Sequence, residues 1–600
     1  MHSSSWMKNS YLFAATFALA LVFFHCLPSP NLEGLPCQKD GDCAGLRCSN
    51  QGICILLGQQ QEPAQEPSVE TPQKETTTES PTANETKVPE NVVHENTSPE
   101  KSREILPEEV IMEPDAGPKE QAVSDAGGTE HSNPTDTMLP DTRPPESCIM
   151  PLPEPGGFPD QPAPDAPIVQ PKWQWVKGIG NIHRDPKEHR VLFDSKGNMY
   201  LVGGFGGTLT LGKHTLKASS RLSMFVAKMD PKGDWLWAKS AGGQGQDQVI
   251  AFGVNFGPKG NLYVVGSFGP EATIGSNTLI AQGGSDIFIA KLDTSGTWLS
   301  SEQLKGPGMG QAYHVTFDSK GDMILIGRFD KETTFGNITL KVRYYHDGFI
   351  AKRSAAGKWL WAKRMDSDLN HFDDVVVDSK DNIYAAAHVR DGWIFEGLVG
   401  PPDYSLGRIL VFKLTPGGKL VWLREFLRDA RYRGLKMLQQ KYLFGAVKIN
   451  QELKYQKNST FPKKITASQD MVIFKADLNG CGYWVRKFGD RYGEDMWIDV
   501  DSKGDIYMSG IFERRGRFGG KLYNAIGVRD MVVAKMDAAG NWKWVQQIGN
   551  KGTAFKDPIR VFSDGLGSFY VLGRVTGSVK FGTHTFTPKT KETFFIAKFK

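Results

Sequence analysis

Between positions 424 and 464 the chain carries 11 Lys+Arg against 3 Asp+Glu. Arg431, Arg433, Lys436, Lys448, Lys454 and Lys457 stand in this stretch, with Tyr432, Tyr442 and Tyr455 among them. Cationic side chains hold phosphate, sulfate or carboxylate, and tyrosine rings stack on sugars or bases. The combination offers a binding surface for an anionic polymer. Acidic polysaccharide, lipopolysaccharide phosphate, extracellular DNA and the chain's own acidic segment all fit that chemistry. The plain alternative is a solvated charged face.

Other chemistry is sparse. The phosphate loop G-x-x-x-x-G-K-[ST], the zinc-protease helix H-E-x-x-H and the nucleophile elbow G-x-S-x-G are all absent. His183, Asp185, Glu188 and His189 form a metal-ligating mix on paper, but Pro186 breaks any helix that would align them. The recurring Asp-Ser-Lys-Gly-Asp/Asn segments put a lysine where a calcium loop needs an oxygen ligand, so they read as hairpin turns. No catalytic residue, no metal and no cofactor is expected. Enzyme status is left open, leaning against.

Four cysteines, Cys37, Cys43, Cys48 and Cys54, make a tight C-x5-C-x4-C-x5-C group. In an exported chain this reads as a two-disulfide knot of open connectivity. Zinc is the weaker reading, for want of a C-x2-C pair. The spacing resembles a fragment of the Dickkopf-type cysteine-rich module. Cys148 and Cys481 are left over, either free or paired with each other.

Export is read from the amino terminus. Lys8 precedes an apolar run from Tyr11 to Phe24 that ends at Cys26, too short for a comfortable membrane span. The segment resembles a bacterial lipoprotein signal, which implies lipidation of Cys26. Ordinary cleavage and an uncleaved anchor are the alternatives. All three place the chain outside the cytoplasm, at the cell surface, in the outer membrane or, if cleaved without lipidation, in the extracellular space.

Four segments follow: a targeting segment at 1–26, a cysteine-rich mini-module at 27–54, an acidic Pro/Glu/Thr-rich linker at 55–170, and a repeat domain at 171–600. Residues 61–150 hold 20 Asp+Glu and 6 Lys+Arg, with few large apolar side chains. Such a composition buries too little surface to offset ordering entropy, so a disordered stalk is expected. Its reach lies between roughly 60 Å as a coil and roughly 350 Å when extended. The repeat domain is the reverse, with 62 Lys+Arg against 41 Asp+Glu. The whole-chain charge of +4 hides this division.

The elements that would position the basic stretch are set by a period. Phe288-Ile-Ala-Lys291 has near-copies whose lysines fall at 228, 291, 352, 413, 475, 535 and 598. A Trp-x-Trp pair or its remnant follows each of the first six, as at Trp235/Trp237, Trp359/Trp361 and Trp542/Trp544. Between them recur strand–Asp/Gly turn–strand signals such as Val191–Val202. Each unit of about 61 residues thus holds four or more strands, the content of a propeller blade. Lys598 lacks its Trp pair, whereas Trp173 and Trp175 open the region with no preceding lysine strand. The first strand should therefore pair beside the last and leave no open edge. The expected fold is all-β, a seven-bladed propeller closed by an N-terminal strand.

These units resemble the bacterial seven-bladed β-propeller repeat (SBBP type) of cell-surface proteins and lipoproteins, D-x-x-G-N-x-Y-V-x-G followed by D-x-F-[IV]-A-K-L-D-x-x-G-x-x-x-W. The match is good at Asp286–Asp293, Asp501–Tyr507 and Asp530–Asp537. At Asp378–Tyr384 Asp381 replaces the turn glycine, and the turn is lost near Lys436–Tyr442. The resemblance implies an exported surface protein and brings no catalytic residues. The expected function is a monomeric surface binding protein, with the membrane, an anionic polysaccharide and other surface proteins as partners. An extracellular polysaccharide-degrading enzyme with its site at the channel mouth is the alternative, and a structural surface scaffold the third reading.

Overall fold

A computed structural model describes Arg47–Cys48, Cys54–Ile55 and residues 170–600, apart from 181, 183–188, 344, 401–406, 429, 439, 450–452, 455–463, 466–470, 490–492 and 591–592. The chain divides into two compact units, residues 1–127 and 128–600. In the first, Arg47–Cys48 pairs antiparallel with Cys54–Ile55, and Cys48 is the register partner of Cys54. Cys26, Cys37, Cys43 and Cys148 lie outside the described residues.

The second unit is all-β. Its described residues form strands and turns, with a single 3-10 turn at Pro258–Gly260 and no α-helix. The fifth repeat shows the plan most simply: Ala430–Leu438, Tyr442–Ile449, Met471–Asp477 and Gly482–Phe488 make a four-stranded sheet in chain order. The two middle strands of a repeat are covered on both faces and read as apolar runs. Met199–Phe205 and Thr593–Phe599 are buried along their whole length.

Turn chemistry explains the Asp-x-x-Gly signals. Asp194 Oδ1 accepts N–H bonds from Lys196 at 3.0 Å and Asn198 at 2.9 Å. The same pair of bonds recurs at Asp293, Asp318, Asp378, Asp477, Asp501 and Asp537. The glycine takes a left-handed φ. Asp381 holds that conformation without glycine, at φ 63°. Its carboxylate compensates by accepting from Ser319 N and Ser319 Oγ of the preceding repeat, both at 2.8 Å.

In every repeat the lysine of the Phe-Ile-Ala-Lys strand faces the second position of the following Trp strand. The pairs are Lys228↔Trp237, Lys291↔Ser300, Lys352↔Trp361, Lys413↔Trp422, Lys475↔Trp484 and Lys535↔Trp544. The seventh is Lys598↔Trp175, because Trp173–Gly180 pairs antiparallel with Thr593–Phe599. The first strand of the unit thus completes the last repeat, as the complementary ends require.

The two tryptophans of a pair have separate tasks. The first packs on its own repeat's outer hairpin, whose turn glycine must lack a side chain. A Cβ on Gly275, at φ 64°, would lie 2.8 Å from Trp298 Cβ. The second reaches the next repeat: Trp237, Trp361 and Trp422 Nε1 donate to the carbonyls of Thr294, Pro416 and Leu478 at 3.1–3.3 Å. Trp175 does the same to Pro231 of the first repeat at 3.4 Å.

The repeating lysine fastens neighbours in the same way. Lys475 Nζ donates to Ala538 O and Lys598 Nζ to Pro231 O, each at 3.0 Å. Their stems cross tyrosine faces, with Nζ 4.0 Å from the Tyr442 ring and 5.3 Å from that of Tyr570.

First strands of successive repeats lie side by side. Arg190–Phe193 contacts Gly245–Phe256, which contacts Gly310–Phe317. Trp359–Val377, Ala430–Leu438, Gly493–Val500 and Ala554–Ser563 continue the series. Arg560 of the last donates Nη1 to His189 O, just before the first, at 2.7 Å.

Candidate functional site

The basic stretch belongs to the fifth repeat, and the pleat decides which of its cations meet. In antiparallel pairs, directly opposed residues have their Cβ atoms roughly 5 Å apart, and like charges there are destabilising. Arg431 is the register partner of Lys448, and Lys454 that of Lys464. Two cationic pairs therefore occupy opposed register positions in two ribbons of one repeat. Arg433 falls between the paired residues Tyr432 and Gly434, in a β-bulge. Lys436 is turned elsewhere: its Nζ lies 3.4 Å from Asp499 Oδ1 of the sixth repeat. Lys457 lies outside the described residues, as does Tyr455. Tyr442, one of the proposed stacking rings, is covered by Lys475.

A second cluster stands on the first strands of the third to fifth repeats, and sequence reading missed it. Bulges recur at the same place in these strands, at Phe252, Tyr313, Asp373 and Arg433. A bulge inserts one unpaired residue and re-aims its side chain. Beside these positions His314 Nδ1 lies 2.5 Å from Asp374 Oδ1. Asp374 also accepts from Val375 N at 3.2 Å and Leu435 N at 3.4 Å. Burial pushes the His314 imidazole below its ordinary pKa, with Asp374 pulling the other way. Burial works against the Asp374 carboxylate too, yet His314, Arg190 and Lys436 together hold it well below the usual range.

Alongside, His371 Nε2 lies 3.0 Å from Asp373 Oδ1. The His371 ring stands 5.9 Å from that of Tyr313 and 5.6 Å from that of His388. Arg190 Nη2, from the first repeat, donates to Asp373 O at 3.4 Å. Polar side chains that are hundreds of residues apart at the extremes thus converge. The only prior signal was the choice of His, Asp or Arg where sibling repeats carry Gly253 or Phe252, which becomes legible once the bulges align the repeats.

Elsewhere, His189 is buried with its ring 5.6 Å from Phe594, and His183, Asp185 and Glu188 lie outside the described residues. Among the described residues no three His, Cys, Asp or Glu side chains group as a metal site. No helix among them is long and apolar enough to cross a membrane. Cys481 is disulfide-bonded. Asp286, Asp347 and Asp530 each take backbone N–H bonds at the turn before the lysine strand.

No family model and no curated relative matches this chain. Among solved structures it is similar to a protein of unknown function from Dyadobacter fermentans, at TM-score 0.32 and 8% identity over 71% of this chain and 99% of that one. It is also similar to lignostilbene dioxygenase from Pseudomonas brassicacearum, at TM-score 0.31 and 10% identity over 67% and 98%. A Synechocystis apocarotenoid oxygenase variant gives 0.29 and 11% over 65% and 95%. These likenesses are too distant to carry an argument about fold or activity.

Proposed function

We propose that the chain is an exported binding protein whose seven repeats form a β-propeller, carried on an acidic stalk and holding an anionic polymer on its fifth blade. The side-by-side series of first strands, and the bonds from the seventh repeat to Pro231 and His189 of the first, support a closed ring. Export rests on the amino-terminal run ending at Cys26 and on the cysteine group. In this reading Cys26 is a lipid anchor and the protein faces outward from a membrane. The propeller is monomeric, since closing the ring uses its own ends.

The observation that carries the ligand class is the opposition of Arg431 to Lys448 and of Lys454 to Lys464. Like charges in register raise the local potential and cost stability, and a bound polyanion relieves both. An acidic polysaccharide fits best outside a cell. The test is binding of the full chain to an acidic polysaccharide, with DNA as a second polyanion, across a salt series. Binding should weaken steeply with salt, and Arg431→Glu with Lys448→Glu should lower affinity about tenfold or more. No binding at low ionic strength, or an unchanged double variant, refutes the reading.

A second reading is favoured by the His371–Asp373 contact. A histidine oriented by a carboxylate suits proton transfer, and it stands at the inner strands, where a channel mouth would be. On this reading the protein cleaves the polymer that the first reading has it bind. Incubation with acidic polysaccharides should then release fragments, and His371→Asn should stop release without lowering binding. Intact polymer after incubation disposes of the enzyme.

A further inference from the structure

The sixth repeat differs from most of its siblings in its outer hairpin. In the first, second, third and seventh repeats this hairpin is a separate short ribbon, such as Thr208–Leu211 with His214–Lys217 or Glu332–Phe335 with Ile338–Lys341. In the sixth it is continuous with the main sheet. Ile506–Phe518 and Lys521–Met536 pair from Ile506↔Met536 out to Phe518↔Lys521.

Strand alternation sorts this ribbon into two faces. Phe512, Phe518, Tyr523 and Ala525 turn inward and pack with Met508 and Val532. The other face looks into solvent, where a soluble ribbon should be polar. It carries Leu522, Ile526 and Val528, which are 41%, 56% and 66% exposed. Arg515 and Arg517, also exposed, stand opposite Asn524 and Leu522. Lys521 belongs to the other face, opposite Phe518, with its Nζ 5.6 Å from the Tyr523 ring. Glu513 is ion-paired with Arg529. Two arginines and three branched aliphatics thus share one exposed surface. At the corresponding places in the first repeat stand Thr208, Thr210, Thr215 and Lys217.

We propose that this face docks on an anionic lipid surface. Arg515 and Arg517 would take phosphate-bearing headgroups, while Leu522, Ile526 and Val528 enter the acyl boundary. The charge selects an anionic partner. The aliphatics select lipid over a soluble polymer. They offer no flat ring for a sugar or base, and the acyl boundary of a bilayer removes them from water. The inference stands on the sixth repeat alone and does not require the polymer reading of the fifth.

The test is hydrogen exchange of the full chain, read by mass spectrometry over residues 512–529. The probes are vesicles of phosphatidylcholine with and without phosphatidylglycerol. This local readout separates ribbon docking from attachment through Cys26. Phosphatidylglycerol vesicles should slow exchange in the ribbon, and phosphatidylcholine alone should not. Arg515→Glu with Arg517→Glu should abolish the protection, and so should Ile526→Ser with Val528→Ser. These positions are exposed, so an unchanged near-ultraviolet dichroism spectrum will show that each variant folds. Unprotected wild-type ribbon overturns the proposal, as does wild-type protection in either variant. Protection by a soluble acidic polysaccharide alone also overturns it. Arg431→Glu with Lys448→Glu should leave ribbon protection intact, so failure of either idea is visible separately.

Discussion

Lys352 Nζ lies 2.7 Å from Asp318 Oδ2, and it also donates to Pro416 O of the next repeat at 3.2 Å. Five of its six counterparts lie across from a tyrosine or phenylalanine ring on the neighbouring strand, in place of a tight carboxylate contact as the main partner; in the third repeat that ring is replaced by Ile324. The sixth, Lys535, combines both, 2.7 Å from Asp505 and 4.7 Å from the Tyr507 ring. The same lysine position is thus satisfied by a carboxylate or by an aromatic face, whichever the repeat supplies.

The two solutions should differ in cost. Lys352 is almost wholly buried, so Lys352→Met strands a buried Asp318 carboxylate and should destabilise the unit by about 3–5 kcal/mol. Adding Asp318→Asn should recover a large part of that. Lys291→Met, which loses a contact at 5.5 Å over Tyr263, should cost about 1 kcal/mol. Denaturant unfolding of the three variants checks the order. Equal losses at 352 and 291 would refute it.

Asp347 makes stability depend on pH. Burial pushes its carboxyl up to about 6, with Asp366 adding to the rise and Arg364 and the N–H of Arg343 opposing it. The folded pKa lies above the unfolded value of 3.8, so the folded state holds the proton more tightly. The stabilising contribution is complete below pH 3.8 and is lost as pH rises through about 6. Melting temperatures of wild type and Asp347→Asn, compared over that window, should diverge in the variant's favour as pH rises. A constant difference would show that Asp347 does not titrate there.

Trp173 is 5% exposed and packs against Phe581 and Phe599, with ring centroids at 5.0 and 4.9 Å. Trp173→Ala should therefore cost about 3–5 kcal/mol. Because its strand links the two ends of the unit, the loss should lower one cooperative transition across residues 170–600. Calorimetry that shows only a small separate transition would mean the terminal strand melts alone.

Register also bears on the cysteine group. Cys48 and Cys54 are cross-strand partners, and directly opposed α-carbons stand within about 4.5–5.5 Å, inside the span of a disulfide. Non-reducing peptide mapping should find them joined. A Cys37–Cys54 or Cys43–Cys54 peptide would rule that pairing out.

Much of the architecture was legible in the residues. The period of the lysines, the Asp-x-x-Gly turns and the orphan Trp173/Trp175 pair predicted the strand order and the pairing of the first strand with the last. Those features are local or periodic, so they survive in one dimension. The role of the repeating lysine was not legible. A Lys at a strand end looks solvent-facing until the Pro231 or Ala538 carbonyl of another repeat is brought to it. The charge in the fifth repeat was visible, but composition treats Lys436 and Lys448 alike. The pleat separates them, sending one toward Asp499 and setting the other opposite Arg431.

The residue sequence by itself determined the all-β class, the repeat count and the division between an acidic linker and a basic repeat unit, because each depends on composition or on spacing along the chain. Only the tertiary structure decided which side chains meet. Arg190, His314, His371 and Asp374 come from three repeats, and the strands of the last three carry bulges. The exposed face of Leu522, Ile526 and Val528 likewise depends on which side of one ribbon the core covers. Contacts of that kind are set by packing between distant segments, which no local pattern encodes.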